Sequence, residues 1–335
     1  MGIWRQAATA RDEEIMEEPL HVPVMSSEIV DAMLGGVEGR PLRLVDLTLG
    51  LGGHSRALLE AAPEGTEILC LDRDEEALSL ARQNLAPLAP QVHAVHACFS
   101  DLPRQMEKLN WDRVDGVFGD LGVSSLQLDS VTRGFSFRAD AALDMRMDTS
   151  SGDTAADLLA EIDEISLTRV IRELGEEPAA RRIARAICAA DPRPSTTAEL
   201  RALVSRVAGG PRHQRRRIDP ATLTFQALRI SVNRELEELE SVLALLPEVL
   251  AENGRAVFLA YHSLEDRRVK RAFREWMRAC VCPRELLVCQ CGGVPRAFAV
   301  VRGALKPSEP EIARNPRARS ARMRALRWGG PNGRN

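Results

Sequence analysis

Glycines and an acidic residue follow two strand-like runs near the start of the sequence. The apolar run at residues 42–47 precedes a turn that contains Gly50, Gly52 and Gly53, and the next run ends at Asp72, 19 positions beyond Gly53. A glycine turn between a strand and a helix lets the backbone pass close to a nucleotide. A carboxylate about 20 residues further along binds the ribose hydroxyls in such sites. The two features predict a site for an adenosine-containing ligand, with a plain connecting turn as the alternative.

The spacing of the glycines distinguishes between two adenosine-containing cofactors. Dinucleotide-binding turns follow G-x-G-x-x-G, whose third glycine belongs to the helix that binds the pyrophosphate. In this chain the three glycines stand at 50, 52 and 53 and are followed by His54. The pattern favours S-adenosylmethionine, which has no phosphates, and leaves a nicotinamide-dependent oxidoreductase as the alternative. His54 is either a neighbour of the helix N-cap or a ligand contact.

Chemically useful residues also follow the later strand-like runs. Asp120 ends the fourth run with Gln127 just beyond it, Phe99 follows the third run, and His262 follows the fifth. Ligands of open α/β sheets bind outside the carboxyl ends of the strands. We therefore expect Asp120 to face the same crevice as Asp72. Phe99 is expected either to pack on an adenine face or to belong to the core.

Strand and helix patterns alternate over the first 120 residues, which predicts a doubly wound parallel α/β sheet. From about residue 141 to 236 one helix pattern follows another. The long helix after this block is expected to end at Asn253-Gly254, a typical C-cap. Strand patterns then return, at residues 255–261, 297–301 and 323–328. The predicted division is a flexible N-terminal tail at 1–20, an α/β domain at 21–140 and 236–330, and an all-helical insertion at 141–235 that recognises the substrate.

The composition is that of a soluble globular protein. The chain has 335 residues, of which 44% are hydrophobic and 28% charged, and its net charge is −3. No apolar run approaches the ~18 residues that a membrane span requires, and the N-terminus lacks the apolar region of a signal peptide. Seven cysteines in so long a chain are expected to be reduced thiols in the cytoplasm. Because only 4% of the residues are aromatic, a module built on rows of stacking aromatics is not expected.

Two clusters of residues allow more than one interpretation. Four cysteines at 280, 282, 289 and 291 could hold a structural zinc ion or be surface thiols, and the predicted chemistry needs no metal. Arginines are concentrated in two places, where they could contact phosphate groups or form a solvated face. These places are residues 212–217 and the C-terminal set Arg314, Arg317, Arg319, Arg322, Arg324 and Arg327.

Eight stretches of the sequence match the signatures of one family in order, between His21 and about Trp328. They are Leu49-Gly-Leu-Gly-Gly-His-Ser55, Leu71-Asp-Arg-Asp74, Asp120-Leu-Gly-Val-Ser-Ser125, Arg133-Gly-Phe-Ser-Phe-Arg138, Leu143-Asp-Met-Arg-Met-Asp148, Thr224-Phe-Gln-Ala-Leu-Arg-Ile230, His262-Ser-Leu-Glu-Asp-Arg267 and Asn315-Pro-Arg-Ala-Arg-Ser320. The chain thus resembles the RsmH/MraW family of bacterial 16S rRNA cytosine-N4 methyltransferases.

The resemblance implies a class I S-adenosylmethionine-dependent methyltransferase, with a Rossmann-like sheet as the methyltransferase domain and an inserted helical domain. Its substrate would be a cytosine amine at the ribosomal decoding centre, and its partner 16S rRNA or the small ribosomal subunit. The implied cofactor contacts are Gly52, Gly53 and His54 to the methionine part, Asp72 to the ribose, Phe99 to the adenosine, and Asp120 with Gln127 to the reacting end. Asp120 is also the candidate catalytic residue, because an acceptor for an N–H of the amine would disperse the charge that develops there.

Three details remain open at the level of the sequence. A nicotinamide-dependent oxidoreductase and a non-catalytic RNA-binding ribosome assembly factor are the rival classes of function, and DNA is the rival substrate for methyl transfer. Phe135 and Phe137 could stack on the target base or pack between the domains. The oligomeric state is not predicted.

Overall fold

The structure is a computed structural model that describes residues 23–329, apart from 38, 209–218, 281, 284, 289, 291 and 292. The tail at 1–20, the arginine cluster at 212–217 and two of the four clustered cysteines therefore lie outside the described residues. Within the described part, no helix has the length and apolar character that spanning a bilayer requires.

Seven strands form one sheet with the order β3-β2-β1-β4-β5-β7-β6. Strands β1 to β5 run parallel to their neighbours, whereas β7 is antiparallel to both β5 and β6. The strand order reverses between β1 and β4, which is where doubly wound sheets open a ligand crevice. The strands are β1 (Arg43–Asp46), β2 (Glu67–Asp72), β3 (Val92–His96), β4 (Val114–Asp120), β5 (Leu250–Ala260), β6 (Ala297–Ala299) and β7 (Arg322–Trp328).

Helices cover both faces of the sheet and form the inserted block. Those that precede the insertion are α1 (Ser26–Leu34), α2 (Gly53–Ala61), α3 (Glu75–Asn84), α4 (Leu102–Lys108) and α5 (Ser125–Asp129). Those of the insertion are α6 (Ala155–Glu161), α7 (Glu164–Gly175), α8 (Ala180–Cys188), α9 (Thr197–Ala208) and α10 (Thr222–Asn233). Those that follow are α11 (Glu235–Val249), α12 (Ser263–Trp276) and α13 (Glu309–Arg314), with a short 3-10 helix at Pro316–Ser320.

The central strands of the sheet are buried on both faces, as expected for parallel strands covered by helices. One core cluster joins the sheet to α4, α11 and α12, and Phe258 is fully buried in it. A second cluster joins the opposite face to α1, α2 and α3, and Phe118 is fully buried there. Since Phe118 and Phe258 lie on the adjacent strands β4 and β5, the two central strands are held from both sides.

The inserted helices have a core of their own. Helices α6 to α10 contribute to a third cluster, which is made of residues between Phe135 and Leu228. Phe135 is buried in this cluster, and the ring of Phe137 meets that of Phe225 edge-on at 5.0 Å between centroids. Both aromatic side chains therefore pack within the helical block, and not between the domains as the second of the two interpretations had it.

The expected end of the long helix at Asn253-Gly254 is wrong. Helix α11 ends at Val249, and β5 begins directly at Leu250. Asn253 does have the positive φ of a C-cap, at 66°, but it lies inside β5. There the pairing with β4 shifts register, because Leu250 pairs with Val114 and Arg255 pairs with Gly116. The Asn-Gly pair thus accommodates an irregularity in a strand. Such an irregularity needs the same left-handed backbone conformation as the end of a helix.

Candidate active site

A cavity of about 400 Å³ opens at the carboxyl ends of β1, β2, β4 and β5. This volume lies within the range of small-molecule sites, roughly 300–1,000 Å³. Six of the seven site residues predicted from the sequence line it, namely Gly53, His54, Asp72, Phe99, Asp120 and Gln127. Other lining residues include Arg229, Glu235, Tyr261, His262, Glu265 and Arg317. The ends of strands as distant in the sequence as β1 and β5 therefore meet at one place, as the α/β pattern predicts.

Gly52 is the predicted site residue that lies behind the cavity wall. It is the N-cap of α2 with φ 85°, and a Cβ there would stand 2.8 Å from Cδ1 of Leu85. Glycine is needed at this position for the left-handed backbone and for the close packing of Leu85. Gly50, earlier in the same turn, also has a positive φ of 52° and does line the cavity.

Asp72 ends β2 with its carboxylate fixed by the backbone. Its Oδ2 accepts the N–H of Gly50 at 2.8 Å, and its Oδ1 accepts the N–H of Asp74 at 2.9 Å. Burial raises the pKa of Asp72 above the usual value, although these two hydrogen bonds oppose the shift. Each carboxylate oxygen keeps a lone pair, so the group can still accept hydrogen bonds from two ribose hydroxyls. The residues present thus fit the sugar of an adenosine-containing cofactor.

A chain of buried polar groups fixes the glycine turn below the cavity. Asp46 accepts the hydroxyl of Ser55 at 2.7 Å and the N–H of Thr48 at 3.0 Å. The Thr48 hydroxyl in turn accepts the N–H of Asp120 at 2.6 Å. Asp46 is fully buried, and burial raises its pKa. The chain ties the ends of β1 and β4 together, and Thr48, which sequence reasoning missed, is the residue that connects them.

Asp120 ends β4 with a hydroxyl and an imidazole beside it. The Tyr261 hydroxyl hydrogen-bonds to Asp120, and burial followed by the charge of Asp120 raises the pKa of Tyr261 far above its usual value. Tyr261 is therefore a neutral donor to this carboxylate. His54 Nδ1 lies 3.9 Å from Asp120 Oδ2, while its Nε2 is 2.9 Å from the carbonyl of Val24. A carbonyl only accepts, so the proton of neutral His54 lies on Nε2.

Gln127 lines the cavity with both ends of its side chain already bonded. Its Oε1 accepts the N–H of Ser124 at 3.0 Å, and its Nε2 donates to Asp74 Oδ2 at 2.9 Å. Arg133 donates to the same Asp74 oxygen at 2.9 Å and to the carbonyl of Met147 at 2.8 Å. Arg133 and Asp74, each less than a tenth exposed, thereby join the segment after β2 to the connector that leads into the helical insertion. We call Asp74, Gln127 and Arg133 the Asp74 network.

A second network lines the cavity, on α10, α11 and the start of α12. Arg229 donates to both oxygens of Glu235, at 2.7 and 2.8 Å. Glu265 accepts the N–H of Tyr261 at 2.9 Å, and its other oxygen lies 3.0 Å from His262 Nε2. Burial alone would raise the pKa of Glu265, but His262 and then Arg229 lower it below its usual value.

Ligand atoms of Glu235, His262 and Glu265 lie within 4.8 Å of one another. Arg229 bonds both oxygens of Glu235, and backbone N–H groups and His262 contact Glu265, so these groups form an ion-pair network. Sequence reasoning noted His262 at the rim but missed Arg229 and Glu235. Arg229 lies in one of the eight family-like stretches, so the signal for it was present.

The strand order, with an antiparallel β7 beside five parallel strands, and the crevice at the glycine turn define a class I methyltransferase fold. A family model described as the MraW methylase family matches residues 18–328 of the sequence. The chain belongs to this family, and S-adenosyl-L-methionine is its cofactor.

Individual relatives are similar over nearly the whole chain. A protein named ribosomal RNA small subunit methyltransferase H from Nitratidesulfovibrio vulgaris (strain DSM 19637 / Miyazaki F) is 44% identical over 324 residues, 96% of this chain and 89% of the relative. The protein of the same name from Anaeromyxobacter dehalogenans is 49% identical over 91% of this chain and 97% of the relative. A solved SAM-dependent O-methyltransferase from Thermotoga maritima matches 91% of this chain and 64% of its own, at 12% identity and TM-score 0.37, and this likeness carries no further argument.

Proposed function

We propose that the protein methylates the N4 amine of a cytosine in 16S rRNA, at the decoding centre of the small ribosomal subunit, in the cytoplasm. The names of the relatives support small-subunit rRNA as the substrate. The eight family-like stretches support the choice of the cytosine amine. The geometric support is that Asp120, an acceptor for an amine N–H, lies in the same cavity as Asp72, the acceptor for ribose hydroxyls.

The cofactor is held by residues of β1, β2 and the turns that follow them. In this proposal Asp72 binds the ribose, Phe99 packs on the adenine, and Gly53 with His54 lines the methionine part. Gln127 contributes indirectly, because its amide already bonds Asp74, whose backbone N–H fixes the Asp72 carboxylate. When bound, the sulfonium supplies an activated methyl group, so the remaining task of the protein is to align the amine for in-line displacement.

Asp120 makes the cytosine amine a better nucleophile. The amine is a poor one because its lone pair is conjugated with the ring. A carboxylate that accepts one N–H favours the pyramidal geometry and stabilises the positive charge that develops on nitrogen. The Tyr261 hydroxyl, which donates to Asp120, fixes the orientation of the carboxylate. This neutral donor leaves Asp120 with lone pairs for the substrate.

The helical insertion, residues 141–235, recognises the RNA in this proposal. A cytosine must be single-stranded or extruded to reach the cavity. The insertion contributes Arg229 and Met147 to the lining of the cavity, and Asn233 bonds the backbone of both residues. Phe135 is buried inside the insertion and is therefore not a stacking partner of the base in this proposal, whereas Phe137 is half-buried against Phe225.

The test is methyl transfer from labelled S-adenosylmethionine to small ribosomal subunits that lack the modification, followed by nucleoside analysis. We expect N4-methylcytidine in 16S rRNA with the unaltered protein. Asp120→Asn keeps the shape of the side chain and removes its charge, so the rate should fall by about 10²–10³-fold. The Kd for the cofactor should change little.

Two controls make the outcome decisive. Asp112→Asn neutralises an exposed carboxylate that lies just before the amino end of β4, away from the cavity, and it should leave the rate unchanged. Tight cofactor binding without any incorporation into rRNA would contradict the proposal and favour a binding role in ribosome assembly. Incorporation into DNA with none into rRNA would contradict the choice of substrate, and binding of NAD in place of S-adenosylmethionine would favour the oxidoreductase.

A further inference from the structure

The C-terminal arginines fall into two groups in the structure. Arg324 is partly buried, and its guanidinium bonds both oxygens of Asp266 at 2.7 and 3.1 Å. Arg327 hydrogen-bonds Asn253, and its guanidinium lies over the ring of Phe298 at 5.2 Å. These two side chains on β7 are committed to the fold.

The other basic residues of this region are exposed. Residues 302–322 contain six arginines and lysines against two glutamates, in a chain whose overall charge is −3. All six are exposed, namely Arg302, Lys306, Arg314, Arg317, Arg319 and Arg322. We call these six residues the basic surface. A local excess of this kind creates a positive potential that the whole-chain charge conceals.

Few acidic side chains neutralise the basic surface. Among the residues that the structure describes, Arg302, Lys306, Arg314 and Arg319 have no ion-pair partner. Arg317 pairs with Asp129, whose side chain is 61% exposed, and Arg322 approaches Asp266 only to 3.8 Å. Exposed ion pairs are weak, so a phosphate can displace the Asp129 carboxylate at little cost.

Glu311, which could have neutralised these arginines, is used elsewhere. Its Oε1 accepts the N–H of Met25 at 2.7 Å. This bond ties α13 to the start of α1, beside the cavity wall formed by Pro23 and Val24. The backbone under the basic surface is also fixed, because Ser308 and Asn315 cap the two short helices and Ala318 is fully buried. The arginines thus project from an ordered support.

The basic surface adjoins the opening of the active site. Asn315, Arg317 and Ser320 line the cavity itself, and Arg314 and Arg319 are their immediate neighbours in the chain. A polyanion on this surface would therefore pass the cavity where the cofactor and Asp120 lie. Arginine guanidinium groups bind phosphate in bidentate fashion and fix the register of a nucleic acid without reading its sequence.

We propose that the basic surface binds the RNA phosphates that flank the target cytosine and thereby holds the base over the cavity. The proposal deepens the proposed function and rests on it for the identity of the RNA. The occupant is the sugar–phosphate backbone of a single-stranded segment, because only an unpaired or extruded base reaches the cavity. An anionic membrane surface or an acidic protein is the competing occupant.

The experiment compares two double variants with the same change of charge. Arg314→Gln with Arg319→Gln removes two unpaired cations of the basic surface. The control, Arg40→Gln with Arg43→Gln, removes two exposed arginines at the amino end of β1, which is the opposite edge of the sheet. The readout is the Kd for an RNA hairpin that carries the decoding-centre sequence, measured over a series of salt concentrations.

Each phosphate contact contributes about 0.7 to the slope of log K against log[salt] for a single strand. We expect the surface variant to lose about 1.4 from this slope and to bind RNA roughly 25-fold more weakly at 0.1 M salt, with the Kd for the cofactor unchanged. KM for RNA should rise while kcat at saturating RNA is retained. The control variant should keep the slope of the unaltered protein.

Two outcomes would overturn the inference. One is an RNA affinity of the surface variant within about twofold of that of the control variant, because the loss of two phosphate contacts should weaken binding roughly 25-fold. The other is unchanged RNA binding together with a loss of binding to vesicles that contain phosphatidylserine. Failure of the proposed function is a separate result, since the unaltered protein would then bind the hairpin or the subunit without methylating it.

Discussion

Two aspartates beside the glycine turn are buried at the ends of parallel strands, and burial raises the pKa of both Asp46 and Asp72. Charged groups in such places are costly for folding, and they persist where function needs them. The carboxylate oxygens of Asp46 accept hydrogen bonds from Thr48 and Ser55, so Asp46 stabilises the glycine turn. Asp72 is bonded only through backbone N–H groups and is therefore the one that can serve a ligand.

The affinity for S-adenosylmethionine should fall at acid pH. Only the ionised Asp72 accepts hydrogen bonds from both ribose hydroxyls, and its raised pKa means that it is protonated at a higher pH than an ordinary aspartate. The Kd should therefore increase as the pH falls through that raised pKa. Calorimetric titration at a series of pH values measures this change.

Asp72→Asn is the matching variant. It should weaken cofactor binding about 10–100-fold, because hydrogen bonds to a charged group are worth roughly 1.5–3 kcal/mol. It should also remove the part of the pH dependence that belongs to Asp72. If the Kd of the unaltered protein were the same at acid and neutral pH, Asp72 would not be the ribose ligand.

Gly52→Ala should destabilise the fold through packing as well as through the backbone. The left-handed conformation at φ 85° costs a residue with a Cβ about 1–2 kcal/mol, and the new methyl group would stand 2.8 Å from Leu85. We expect the free energy of unfolding to fall by about 2–4 kcal/mol. Denaturant unfolding measures the loss.

Gly152→Ala is the control for this effect, since Gly152 has φ 79° and no atom lies within 4 Å of the place that its Cβ would take. The free energy of unfolding of this variant should fall only by the cost of the left-handed backbone conformation. Leu85→Ala in the Gly52→Ala background should recover part of the difference. If the free energy of unfolding fell equally in the two glycine variants, the Leu85 side chain would be able to move aside without an energetic cost.

At the level of secondary structure elements, the Asp74 network joins three segments that are distant in the sequence. Asp74 caps α3, Gln127 lies in α5, and Arg133 lies in the connector to the insertion. Arg133 is 8% exposed and Asp74 is 2% exposed, so neither charge has water as an alternative partner. The position of the Asp72 carboxylate therefore depends on Arg133, which lies 61 positions further along the chain.

Arg133→Met should destabilise the protein by about 3–5 kcal/mol, because it leaves the charge of Asp74 buried without its partner. It should also weaken cofactor binding, because Asp74 donates its N–H to Asp72. Adding Asp74→Asn removes the uncompensated charge and keeps a good helix cap, so part of the stability should return. Denaturant unfolding and cofactor titration measure the two effects.

Arg324→Met provides a comparison for that variant. Arg324 pairs with Asp266, and this pair is also largely buried, because the two side chains are 11% and 13% exposed, respectively. The pair does not contact the cavity wall at Asp72. This variant should lose stability and keep its affinity for the cofactor. An unchanged cofactor Kd in Arg133→Met would show that the Asp74 network acts on stability alone.

The elements that the sequence predicted best are those with a strong local signal. Apolar runs marked all seven strands, and the glycine turn with Asp72 marked the ligand site, because parallel strands end at one edge whatever their separation. Side-chain partners from distant segments carried no such signal. The bond between Thr48 and Asp120, and the Arg133–Asp74 pair, depend on tertiary contacts that spacing does not encode. Asn253-Gly254 was misassigned because a helix end and a strand bulge use the same backbone geometry.

For the molecule as a whole, one further test concerns the arginines at 212–217, which lie outside the described residues. Four of the six residues in this cluster are arginine. Changing Arg212, Arg215, Arg216 and Arg217 to Gln should weaken RNA binding and make it less sensitive to salt, by about 0.7 in the slope for each phosphate that is no longer bound. Filter binding at several salt concentrations measures this.

The cluster at 212–217 and the basic surface lie on different parts of the chain, so their contributions to RNA binding can be separated. If both sets contact the same RNA independently, the reductions in binding free energy should add in a combined variant. RNA binding that is unchanged after substitution of 212–217 would exclude a role for that cluster and leave the basic surface as the site of phosphate contact.

The sheet order has a consequence for synthesis of the chain on the ribosome. Strand β4 is complete at Asp120, but its neighbour β5 begins about 130 residues later, at Leu250. Because synthesis adds about 5–20 residues per second, the edge of β4 remains unpaired for roughly 7–26 s before β5 has been made. The helices of the insertion share a core that is contained within this stretch of the chain, so they can fold during this interval. The nascent chain thus passes through a period in which an apolar, unpaired strand edge needs protection from association with other chains.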